Sequence, residues 1–127
     1  MRSYIALGAI FYFVSMFAAA PATADQPSVL DVTASANPDG TYAIHATVTH
    51  RDEGWKHYAD KWEVVTADGK VAATRQLFHP HVDEQPFTRS LSRVEVPIGT
   101  TEVTVRAYCN KDGVGSRTFT VTLPPRK

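Results

Sequence analysis

The sequence predicts an all-β fold: one antiparallel β-sandwich of seven strands. Two observations carry this. From Asp25 onward apolar residues recur with period two, and the helical period is absent. Clusters of turn formers, Asn37-Pro38-Asp39-Gly40, Asp68-Gly69 and Pro97-Ile98-Gly99-Thr100, punctuate the alternating runs at intervals that suit two packed sheets. The composition agrees. Hydrophobic residues make up 43% and charged residues 20% of 127, enough for one core and too apolar for a disordered chain.

The strands follow in order. Residues 29–36 are β-rich and end at the Asn-Pro-Asp-Gly turn, where Pro38 presets φ and Gly40 accepts a positive one. Residues 41–49 alternate, with Tyr42, Ile44, Ala46 and Val48 on one face and His45, Thr47 and Thr49 on the other. Residues 60–67 and 70–78 flank Asp68-Gly69, a two-residue hairpin signal. Residues 87–96 form the fifth strand. In the sixth, 102–109, the residues Val103, Val105, Ala107 and Cys109 share a face, and the seventh, 117–123, turns Phe119, Val121 and Leu123 inward. The tail Pro124-Pro125-Arg126-Lys127 cannot extend a central strand.

Trp62 falls where the third strand of an immunoglobulin-like core carries its tryptophan. Cys109 is the single cysteine, so no intramolecular disulfide forms, and the sandwich resembles the fibronectin type III version rather than an antibody domain. Residues 1–24 read as a signal peptide: Arg2 gives a positive start, residues 5–17 carry no charge, and Ala22-Thr23-Ala24 is a cleavage pattern. The domain is then 25–127, in a periplasmic or secreted location. The apolar run is short for a membrane span. Removing Arg2 leaves 12 basic against 13 acidic residues, a charge of −1. Such a balance argues against nucleic acid and against a membrane contact after cleavage.

The short turns fall at one end of such a sandwich. Residues 50–60, 79–86 and 110–116 are long connections at the other, where function gathers on a rigid scaffold. His50, His57, His79 and His81, four of the five histidines, lie in these segments together with Asp52, Glu53, Asp83, Glu84 and Asp112. His79-Pro80-His81 on an extended backbone sets two imidazoles on one side, and His57 or His50 could add a third nitrogen. Neutral imidazoles in that number suit copper or zinc. The plainer reading is that the histidines hydrogen-bond loop carbonyls. Cys109 could be a soft copper ligand, but its inward phase argues for a small buried hydrophobe. Calcium would need a compact oxygen-rich loop that is absent. Arg89, Arg93 and Arg106 alternate with apolar residues, as on a solvated face laddered with Glu95 and Glu102. Trp55 is either a loop anchor or an exposed contact aromatic, and with Tyr58, Asp83 and Glu84 it completes a candidate binding surface. The serines lack a nucleophile-elbow context, so the reading is not an enzyme.

The segments GWKHYADKWEV and HPHVDEQPFTR resemble those of a family of small exported bacterial proteins with an immunoglobulin- or fibronectin III-like sandwich. The resemblance implies fold and compartment and carries no catalytic residues. Function is therefore expected to be a non-enzymatic binding module that uses the long-loop pole for an unknown protein, or, alternatively, a periplasmic copper- or zinc-binding protein with its histidine site there.

Overall fold

The computed structural model describes residues 26–127; the expected signal peptide, 1–24, lies outside them. Eight strands form two antiparallel sheets: β1 (Ser28–Ala36), β2 (Tyr42–Thr49), β3 (Ala59–Val65), β4 (Val71–Gln76), β5 (Phe87–Val94), β6 (Glu102–Cys109), β7 (Gly113–Val114) and β8 (Phe119–Thr122). One sheet has the order β1-β2-β5. In the other, β4-β3-β6 continues to β7, and β8 also pairs with β6. Alternation places Ile44, Ala46 and Val48 of β2 against Trp62 and Val64 of β3 and Val103, Val105 and Ala107 of β6, all in one buried cluster. Trp62 is fully buried, as its strand phase predicts.

The expected seven strands become eight because a two-residue strand, β7, forms inside the expected loop 110–116, while the expected seventh strand, 117–123, stands as β8. Gly115 follows β7 with its N–H still donating to the Ala107 carbonyl of β6 at 2.8 Å, and a Cβ there would stand 1.9 Å from the Pro27 carbonyl oxygen. Past this contact the Arg117 carbonyl accepts from Val29 N–H at 2.9 Å, and Ser28 and Arg117 form a parallel bridge. The chain is thus drawn off β6 to close the sandwich against β1, then returns to β6 as β8.

The β3–β4 hairpin also differs from its signal. A tight Asp-Gly turn needs positive φ at both residues. Here Gly69 has φ 85° and no non-glycine residue among those described has a positive φ, so the connection widens to 66–70. Thr66 N–H donates to the Lys70 carbonyl at 2.9 Å and closes it.

The arginines find partners other than the expected glutamates. Arg106 pairs with Glu63 across the β3–β6 ladder at 3.0 Å, Arg93 with Asp39 at 2.7 Å, and Arg89 with Glu84 at 3.6 Å. Register decides this: Glu63 stands opposite Arg106, while Glu102 stands opposite Thr122.

The strand ends define two poles. Ser28 faces Thr49, Val48 faces Phe87 and Ala59 faces Cys109, so the three long loops share one pole. At the other, Arg126 donates to the carbonyls of Gly40 and Val96 and fastens the tail across the short turns.

Candidate functional site

The β2–β3 loop leaves the first sheet at His50 and folds back at once. Asp52 N–H donates to the His50 carbonyl at 2.9 Å, a three-residue turn that swings the Asp52 carboxylate toward the imidazole. His50 Nδ1 and Asp52 Oδ1 are 2.6 Å apart, both side chains fully buried. The loop then makes a small hairpin. Gly54 takes φ 125°, Glu53 N–H donates to the His57 carbonyl and His57 N–H to that of Gly54, which turns the His57 ring inward.

His57 is met by carboxylates on both nitrogens: Glu53 at Nδ1, 2.7 Å, and Asp112 at Nε2, 3.1 Å. The Glu53 hydrogen bond raises its pKa above the usual 6.5; burial opposes the rise and Asp112 reinforces it. Glu53 is correspondingly lowered by His57. The ring stands edge-on to His50 with centroids 4.9 Å apart.

Cys109, the last residue of β6, lies beside these two rings. One ligand atom each from His50, His57 and Cys109 falls within 4.8 Å of the others, and all three residues are buried. The Lys111 amide points at Sγ at 3.4 Å, and Asp112 Oδ2 lies 3.9 Å from it. Two imidazoles, one sulfur and one carboxylate therefore converge where the β2–β3 loop meets the β6–β7 turn. Asn110 ties those segments together. Its side chain accepts from Tyr58 N–H and donates to the Trp55 carbonyl.

Among the described residues His79 and His81 do not join this group. Their rings are 4.5 Å apart, on one side of the backbone as the extended His-Pro-His predicts. His81 is buried and stacks on Phe87 at 4.0 Å with the planes 9° apart. Arg89 donates to its Nε2 at 3.0 Å, so a fixed cation occupies the lone pair a metal would use. Burial lowers its pKa, with the charges of Arg89 and His79 adding to the effect. His79 is exposed, and its Nδ1 donates to the Pro80 carbonyl at 3.0 Å.

Of the other candidates, Trp55 is 67% exposed, with Tyr58 edge-on at 5.7 Å, so it does not anchor the loop in the core. Asp83 and Glu84 are exposed on the β4–β5 loop, apart from the histidine–cysteine group. Cys109 has the inward phase that its alternation predicts. What alternation does not convey is that an inward residue at a strand end sits under the loops rather than in the central core. Its ladder partner is Ala59, two residues after His57, and that register is the signal that places it.

Compared with known proteins, the chain is 38% identical over 96 residues to a protein named "Putative lipoprotein" from Halomicrobium mukohataei. The match takes in 76% of this chain and 47% of that protein, so the chain spans about half the length of the relative it matches. No family model and no solved structure matches the chain.

Proposed function

We propose that the protein is an exported metal-binding sandwich, a binding protein rather than an enzyme, that holds one copper or zinc ion through His50, His57 and Cys109. The observation that carries this is the convergence of two imidazoles and a thiol within 4.8 Å of one another, all buried. Thiolate suits copper and zinc, and imidazole suits both, so the combined donor set selects these two. Metal–ligand bonds of about 2.0–2.3 Å put tetrahedral ligands roughly 3.5 Å apart, so the group needs closure of about 1 Å. Asp112, already beside both His57 and Cys109, is the natural fourth ligand. Export is supported by the apolar segment 5–17 with Ala22-Thr23-Ala24 and by the lipoprotein name of the relative. A periplasmic or secreted location and a fibronectin III-like ancestry follow the same reading.

The test is metal content after equilibrium dialysis of the purified protein against Cu(II), Zn(II) and Fe(II). One equivalent of copper or zinc, lost in Cys109→Ser, is the expected result. Uptake of none sinks the proposal; preference for Fe(II) keeps the site and changes the metal.

A second reading rests on a different observation. Trp55, Phe78, Val82 and Val114 are exposed large hydrophobics, all belonging to loops and edges of this pole. They suit a protein contact. Trp55→Ala separates the two readings, since it should leave metal content unchanged.

A further inference from the structure

We infer that Asp52 is the positioning residue of this site: it holds His50 in the Nδ1–H tautomer, presents Nε2 to the metal, and ties the β4–β5 loop to the same point. The inference rests on the metal-binding reading proposed above.

The Asp52 side chain is fully buried, and no lysine or arginine pairs with it among the described residues. A buried carboxylate without a cationic partner is costly unless hydrogen bonds and a nearby charge compensate it. The hydrogen bonds are in place. Oδ1 accepts from Ala59 N–H at 2.9 Å, and Oδ2 accepts from His81 N–H at 2.7 Å. Two amide donors suit an ionised carboxylate, whose oxygens only accept. The 2.6 Å contact between Oδ1 and His50 Nδ1 is then donated by the ring.

A proton on Nδ1 leaves the lone pair of a neutral imidazole on Nε2. Metal-bound histidines almost always donate their other N–H to a carboxylate or carbonyl, which fixes both tautomer and ring orientation. Asp52 and His50 have that arrangement, in a carboxylate already out of water. A cation on His50 Nε2 would also supply, through the ring, the positive charge that the buried carboxylate lacks. His57 differs. Its carboxylates, Glu53 and Asp112, are both partly exposed and can rearrange.

Asp52 acts on three segments at once. Ala59 begins β3, His50 follows β2, and His81 belongs to the β4–β5 loop. The single carboxylate thus joins both sheets at the pole and gives His79-Pro80-His81 a role without ligation: its backbone secures the group that orients His50.

Two measurements test this. In the metal-free protein, long-range ¹H–¹⁵N correlation reads the His50 tautomer directly and needs no variant. Nδ1–H is expected, and an Nε2–H tautomer overturns the inference. In Asp52→Asn, zinc affinity should fall by about 10–100-fold, and the thiolate-to-metal charge-transfer band of the Co(II) form should shift, because His50 is no longer held in one orientation. A loss of stability with affinity and band unchanged would leave Asp52 a purely structural residue and overturn the inference. If the wild type takes up no metal, the metal-binding reading itself has failed, which is a separate result. If Asp52→Asn does not fold, the tautomer decides.

Discussion

His57 and His81 lie at the same pole, one loop apart and almost equally buried, yet their surroundings pull them in opposite directions. His57 faces carboxylates on both nitrogens and is raised above the usual histidine value. His81 stacks on Phe87, receives a hydrogen bond from Arg89 and is lowered. A ring among anions is a place where a cation can sit; a ring against a guanidinium is not. The number of histidines in a loop cluster therefore says little about metal until their neighbours are known. His50 and His57 have a thiol and carboxylates around them. His79 and His81 have an arginine and an aromatic face.

The comparison breaks most sharply on metal content. His57→Ala should abolish uptake of copper or zinc measured after dialysis, whereas His79→Ala should retain it. Retention in His57→Ala with loss in His79→Ala would exchange the roles of the two pairs. In the wild type, metal present at one hundred times its Kd should stabilise the fold by about 2.7 kcal/mol, read as a rise in melting temperature.

Next in size is Phe87→Ala. Phe87 is 2% exposed and forms the platform under His81. Its loss should destabilise the protein by about 3–5 kcal/mol in chemical denaturation, with His50, His57 and Cys109 still in place. A near-wild-type midpoint would mean that the His81 side of the pole is not held by packing.

A smaller effect should appear in the pH dependence of metal-free stability. The His57 contribution, with its raised folded value, is fully present below the unfolded pKa of about 6.5 and is lost as pH rises through the folded value. His81, with its lowered folded value, contributes fully above about 6.5, and that contribution is lost as pH falls from there through the folded value. The two slopes oppose each other, so stability from this pair peaks near 6.5. His81→Gln should flatten the acid side and His57→Gln the alkaline side. Denaturation midpoints between pH 5 and 8 would show a reversed assignment at once.

The smallest effect belongs to His79. It is exposed, and its ring bonds the neighbouring carbonyl and lies against His81, so His79→Ala should change stability by less than about 0.5 kcal/mol. A larger loss in thermal melts would place His79 within the network that secures His81.

Period two carries much of the architecture. The sixth strand runs over 102–109 in both the alternation and the structure, and Trp62 and Cys109 are buried on the faces their phases assign. Alternation is local, and what it misses is not. The division of β7 from β8 falls where Gly115 meets Pro27 and Arg117 bonds Val29, contacts between distant parts of the chain. The partner of Arg106 depends on a ladder register that sends Glu102 elsewhere. The site lies between these cases. That four histidines gather at one pole is legible from loop lengths. Which of them gather around the thiol depends on Cys109 lying beside His50 and His57, and on Arg89 reaching His81, neither of which leaves a mark in the spacing.

The bond from Val29 to Arg117 has a consequence for how copies of the chain meet. A sandwich with open sheet edges offers rows of amides and carbonyls on which another chain can add a strand. Here the segment just before β8 bonds β1, and on the opposite side Arg75 donates to the carbonyls of Ser90 in β5 and Gln76 in β4. Both seams between the sheets are stitched by the chain's own groups. A second chain that adds a strand at either seam must first displace these bonds.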